Sequence, residues 1–210
     1  MEPTRVVAIR HGETDWNAGA RLQGQIDIAL NQVGRAQVAR LAQALRDEGL
    51  SAVFSSDLER AADTARAFAE PLGLPLVLDA SLRERAFGHF EGKTYDEIAQ
   101  HWPQGAQRWR SRDPDFAPEG GETLAGFQAR SVVAAERIAT AHAGSCIALV
   151  THGGVLDALY RAAVRIPIGA PRTWQLGNAS INRLLHTAQG FALVGWDDRR
   201  HLDGVLAAGH

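Results

Sequence analysis

The sequence predicts an α/β fold: a three-layer α/β/α sandwich around a mainly parallel central sheet, with a hairpin strand at one edge. Three observations carry this. Two short apolar runs, Val6-Val7-Ala8-Ile9 and Cys146-Ile147-Ala148-Leu149-Val150, each lead into a His-Gly pair. Such runs fit strands buried on both faces of a parallel sheet. Helix-length stretches with apolar stripes alternate with the strand-like runs. Residues 180–186 and 191–196, joined through Gln189-Gly190, read as a hairpin added to the sheet. At 210 residues and 45% hydrophobic content the chain can bury a substantial core. It reads as one domain over 1–210 with an insert at 87–122.

Each element has a local reason. A polar loop over 13–30 follows the first strand. Asn31 then caps a helix over 32–48 whose apolar stripe is Val38, Leu41, Ala42 and Leu45, and Gly49 stops it. Residues 52–54 form a second strand. Ser55-Ser56-Asp57 supplies caps for a helix that buries Ala61, Ala65, Phe68 and Leu72. Residues 76–78 are a third strand, and Leu82-Arg83-Glu84 follows. From 87 to 122 the alternation breaks into a Gly- and Pro-rich stretch that also carries Phe87, Phe90, Tyr95, Trp102, Trp109 and Phe116. Two short helices fit there, one from the capping box Thr94-x-x-Glu97 and one near 104–112. A segment both loop-like and aromatic must pack on something, and a lid over the sheet edge is the expectation. A helix over 123–142, the His152 strand and a helix over 155–164 closed by Pro167 complete the pattern.

Composition narrows the function. The net charge of -2 provides no field to recruit nucleic acid or an anionic membrane. Cys146 is the only cysteine, so no internal disulfide can form, and its place in an apolar strand suits a small hydrophobe. There is no signal-peptide pattern and no apolar run near the ~20 residues that span a bilayer, so a soluble cytoplasmic protein is expected.

The chemistry gathers at strand ends. In open α/β sheets ligands bind beyond the carboxyl ends of the strands. Arg10 and His11 end the first strand, His152 ends the fourth, and Arg60 lies one turn into the helix after the second. Two guanidinium and two imidazole groups converging suit a dianion such as phosphate. The sequence lacks GxxxxGK[ST], GxSxG and HExxH, which argues against a nucleotide P-loop, a serine hydrolase and a zinc protease. Histidine itself then becomes the candidate nucleophile.

Arg10-His11-Gly12-Glu13-Thr14-x-Trp16-Asn17 resembles the signature of the histidine phosphatase superfamily, the phosphoglycerate mutase-like enzymes. Further matches run in order. Gln23-Gly24-x-x-Asp27 and Leu30-x-x-x-Gly34 resemble the loop before the first helix, and Ser55-Ser56-Asp57-Leu58-x-Arg60-Ala61-x-x-Thr64-Ala65 resembles the second motif. Leu82-Arg83-Glu84 with Phe87-Gly88-x-Phe90-Glu91-Gly92 resembles the acid loop. Pro118-x-Gly120-Gly121-Glu122 precedes the long helix, and Val150-Thr151-His152-Gly153 resembles the closing motif. The likeness covers residues 5–196.

The resemblance implies a phosphoglycerate mutase-like fold and a metal-independent phosphomonoesterase with no cofactor. His11 would attack phosphorus and become phosphohistidine. Arg10, Arg60 and His152 would hold the phosphoryl oxygens, with Asn17, Gln23, Gly24, Thr151 and Gly153 around them. Glu84 would protonate the leaving oxygen and later activate water. The expected partner is a small phosphorylated metabolite, and dimers are common in the family. Two departures, Ala29-Leu30 in place of Pro-Leu and Phe90 where Trp is common, touch no catalytic position. The alternative is a cofactor-dependent phosphoglycerate mutase, which shares the first half-reaction; mutases usually carry a longer insert, so the compact lid favours a phosphatase. Arg108, Arg110 and Arg112 around Trp109 either meet a second anionic group or form a solvated face. The remaining histidines (89, 101, 142, 186, 201 and 210) read as surface or hydrogen-bonding residues.

Overall fold

The structure, a computed structural model, describes residues 2–204. In chain order the elements are β1 (Thr4–Arg10), α1 (Asp15–Ala18), α2 (Gln32–Ala44), β2 (Ala52–Ser55), α3 (Glu59–Ala69) and β3 (Leu76–Leu78). Then come α4 (Tyr95–His101), α5 (Pro103–Arg110), α6 (Leu124–Ala141), β4 (Cys146–Thr151), α7 (Gly153–Val164), β5 (Ile181–Thr187) and β6 (Gly190–Asp198). The strands form one six-stranded sheet in the order β3-β2-β4-β1-β5-β6. The first four in that order run parallel, whereas β5 is antiparallel to both β1 and β6. This is the expected mainly parallel sheet with a hairpin at one edge.

Alternation along the strands makes two cores, because successive side chains point to opposite faces. Val6, Ala8, Ile147 and Leu149 pack with Phe127, Ala135 and Ile138 of α6 and Leu156 and Leu159 of α7. Val7, Ile9, Val53, Ala148 and Val150 pack on the other face with Leu41, Leu45, Ala61, Ala65 and Phe68. Cys146 is buried in this second core, as expected. Full burial of each such Leu or Phe contributes about 1.5–3 kcal/mol. Helices therefore cover both faces and the strand ends stay free. Residues of the 87–122 insert build a third, smaller core from Phe90, Ile98, Ala106 and Phe116, completed by Leu22.

Several boundaries differ from expectation. The helix over 32–48 ends at Ala44, because the chain tightens beyond it: Glu48 N–H donates to Leu45 O, three residues back, and Gly49 turns at φ +70°. Glu48 is drawn off to an ion pair with Arg183 of β5. Ser55, Ser56 and Asp57 do not cap α3: the N-cap position is Leu58, and Glu59 N–H is satisfied by Asp27 Oδ1 at 2.7 Å, from a loop distant in sequence. His186 is no surface residue; it lies buried on β5 against Phe191. His210 lies outside the described residues. Among the described residues, no helix is long and apolar enough to cross a membrane.

Candidate active site

β1 and β4 are adjacent and parallel, with Arg10 paired to Thr151. Their next residues, His11 and His152, therefore leave the sheet side by side, with ring centroids 5.2 Å apart. The loop after β1 sits tightly on α2: a Cβ at Gly34 would drive into the backbone of Glu13, so only glycine permits this approach. His11 Nδ1 lies 2.7 Å from Gly12 O. A carbonyl only accepts, so Nδ1 carries the hydrogen and the Nε2 lone pair is left for the cavity that His11 lines. Burial holds the His11 ring well below the usual imidazole range, with Arg60 and Arg10 adding to the effect and the Gly12 carbonyl opposing it. The ring is therefore neutral at physiological pH.

The arginines are aimed by acceptors that do not neutralise them. Arg60 is buried and donates to Ile26 O at 3.0 Å and Gly24 O at 2.7 Å. Arg10 donates to Leu176 O. Burial lowers Arg10 and pushes Arg60 down to about 10, each partly offset by Glu84. Both stay cationic at pH 7, and in both the Nε atom is buried without a hydrogen-bond partner among the described residues. Carbonyls fix the direction of each fork and leave its charge for an anion.

Glu84 faces the same cavity. Its carboxylate accepts from Arg85 N–H at 2.8 Å and Gly154 N–H at 2.9 Å. A Cβ at residue 154 would collide with Glu84 Oε1, so the contact in this form depends on glycine at 154. The neighbouring arginines turn elsewhere: Arg83 pairs with Asp57 at 2.6 Å, and Arg85 donates to Phe116 O and Glu122 O. Arg130 of α6 braces the strand of backbone that presents Glu84, donating to Ser81 O and Arg83 O. Thr14 caps α1 and Asn17 completes the capping box by accepting from Thr14 N–H; its Oδ1 also accepts from Asn178 at 3.2 Å, so only its Nδ2 hydrogens can serve a ligand. Gln23, Gly24 and Gly153 line the cavity, whose volume is about 670 Å³. Among the described residues, no group of three His, Cys, Asp or Glu side chains is placed to hold a metal ion.

A family model described as the histidine phosphatase superfamily (branch 1) matches residues 6–199. The chain belongs to the histidine phosphatase superfamily. It is 39% identical to a metal-independent phosphoserine phosphatase of Arabidopsis thaliana over 97% of this chain and 85% of that one. It is 37% identical to phosphoglycerate mutase-like protein 4 of the same plant over 100% and 92%. Among solved structures, a mycobacterial glucosyl-3-phosphoglycerate phosphatase in complex with VO3 superposes with a TM-score of 0.83 at 35% identity, over 92% of this chain and 98% of that one.

Within this histidine phosphatase some expected residues are placed differently. Thr151 does not line the cavity: it is fully buried, and its hydroxyl donates to Leu82 O at 2.8 Å, tying β4 to the segment that carries Glu84. His152 is fully buried beside His11, with Nε2 2.8 Å from Ser56 Oγ. Arg108 pairs with Asp113 and is not part of the cavity wall. Arg112 lines the cavity but is committed to Asp157 at 2.7 Å and Ile168 O at 2.9 Å. Arg110 lines it with no ion-pair partner among the described residues. Sequence reasoning missed Asn178, which donates to His11 O at 3.1 Å, and Arg172, which enters the cavity from the loop after α7. Neither sits in a periodic element; Pro171 before Arg172 was the one local sign of a fixed turn.

Proposed function

We propose that the chain hydrolyses small phosphomonoesters through a phosphohistidine on His11. What carries the reading is one combination: a neutral histidine with a free Nε2 beside two guanidinium forks whose acceptors are carbonyls. The Nε2 lone pair forms the bond to phosphorus as the ester P–O bond breaks, and Glu84 supplies the proton that the leaving oxygen takes. Water then attacks phosphorus, Glu84 takes its proton, and the N–P bond breaks to restore neutral His11. Arg10, Arg60 and Asn17 stabilise the charge on the transferring oxygens. Phosphatase chemistry is also what family membership and the phosphatase-named relatives support.

The test is a quench with labelled substrate. Label should appear on His11 in an acid-labile, base-stable bond, and full turnover without trapped label on His11 would overturn the reading. A second reading, a phosphoglycerate mutase, draws on the mutase-like relative. A phosphomonoester panel with and without 2,3-bisphosphoglycerate separates the two. Transfer to water alone supports the phosphatase; isomerisation that depends on the bisphosphate supports the mutase.

A further inference from the structure

The hydrogen on His152 has only one self-consistent position. Ser56 follows β2, whose Ser55 pairs with Val150 of β4, so the sheet register sets Ser56 beside the end of β4. Both Ser56 and His152 are fully buried. Among the described residues Ser56 Oγ has two hydrogen-bonding partners: Leu58 N–H, which donates to it at 3.3 Å, and His152 Nε2 at 2.8 Å. Leu58 uses the oxygen as an acceptor. Among the described residues, His152 Nε2 is the only group to which the Ser56 hydroxyl can give its own hydrogen. A buried hydroxyl with an available acceptor donates to it. Nε2 is then the lone-pair nitrogen, and the ring hydrogen is on Nδ1. Nδ1 is itself buried, with no hydrogen-bond partner among the described residues. Burial and the nearby Arg60 keep this ring well below the usual imidazole range, so it is neutral and has one hydrogen to place.

We propose that Ser56 is a positioning residue that holds His152 as the Nδ1–H tautomer, so that this hydrogen is the one offered to a phosphoryl oxygen. The proposal rests on the phosphatase reading for its purpose, but not for its geometry. The opposite tautomer would strand the Ser56 hydrogen without an acceptor and leave Nδ1 a bare lone pair, which repels phosphate oxygens. The two histidines are thus held in the same Nδ1–H tautomer by different partners, a carbonyl that takes the Nδ1 hydrogen of His11 and a hydroxyl that donates to Nε2 of His152, so opposite nitrogens are left for a ligand.

The experiment is histidine-selective ¹⁵N labelling of the full chain with two-bond ¹H–¹⁵N correlation, His152 being assigned by its loss in His152→Gln. In the parent protein Nε2 of His152 should be the pyridine-like nitrogen and Nδ1 the pyrrole-like one, the same pattern as in His11. A pyridine-like Nδ1 on His152 would overturn the proposal outright. In Ser56→Ala the pattern should shift toward the Nε2–H form, and kcat/KM should fall about 10- to 100-fold, the usual cost of losing such an orienting partner. Ser56→Thr, which keeps the hydroxyl, should restore both. Lost activity with an unchanged tautomer would make Ser56 merely structural, and a changed tautomer with unchanged activity would remove the tautomer from the chemistry; either sinks the proposal. If the parent protein hydrolyses no phosphomonoester while the spectrum is as described, the functional reading fails and the tautomer assignment stands.

Discussion

The ends of β1 and β4 look alike in sequence and differ in the structure. Each is a buried strand closed by His-Gly, and the two rings lie 5.2 Å apart. Yet His11 lines the cavity with Nδ1 tied to a carbonyl, whereas His152 is fully buried with Nε2 tied to a hydroxyl. Which nitrogen the surroundings claim decides which one is left for a ligand. One side chain type thus presents a lone pair at one strand end and, in the proposed tautomer, a hydrogen at the next.

Replacing each histidine breaks this comparison most directly. His11→Ala should lower phosphatase kcat by roughly 10⁴- to 10⁶-fold, as loss of a nucleophile does. His152→Asn should cost about 10²- to 10³-fold, the scale of one lost transition-state donor. Steady-state rates on a common phosphomonoester, with circular dichroism to confirm folding, measure both. Equal losses would erase the distinction between the two ends. Gly154→Ala tests the carboxylate opposite them. The new methyl displaces Glu84, and a misplacement of that kind should slow kcat by about 10²-fold with little change in melting temperature. Unchanged turnover would mean that Glu84 acts from another position.

Acid titration reads both rings at once. The fold keeps them neutral well below the usual imidazole range, while the unfolded chain takes up protons near a reference of ~6.5. The unfolded state then binds more protons, so stability is complete above that pH and declines as pH falls below it. Melting temperature should drop on acidification through this window, and less steeply in His152→Asn. The smallest effect is expected at the cavity mouth. Arg172 is exposed, so Arg172→Ala should raise KM by about two- to fivefold for phosphoesters with a second anionic group. It should leave uncharged aryl phosphates unaffected, and a uniform change across both substrates would exclude such selectivity.

The sequence carried much of the layout. Apolar runs before Arg10-His11 and Thr151-His152 identified the two central strands, since continuous burial on both faces requires continuous apolar residues. Arg60 and Glu84 were found because short motifs hold them at fixed offsets from strand ends. Failures came where a local signal had a distant competitor. Ser56 has the chemistry of a helix cap, but the sheet register brings His152 to it and Asp27 does the capping. Thr151 stands in the closing motif, but its hydroxyl is claimed by Leu82 O. Arg112 lies in the insert as expected, and only its ion pair with Asp157 of α7 takes it out of contention as a free cation.

The sequence by itself determined which strands are buried, which histidines and arginines they deliver, and the family to which the chain belongs. Those depend on hydrophobic periodicity and on residue identity at short spacing. Only the tertiary structure decided which ring nitrogen each histidine leaves for a ligand and which arginines are committed to ion pairs. It also decided that a glycine at 154 is what lets Glu84 approach. Such outcomes rest on hydrogen bonds and close contacts between residues far apart along the chain, formed once the sheet register brings them within about 3 Å.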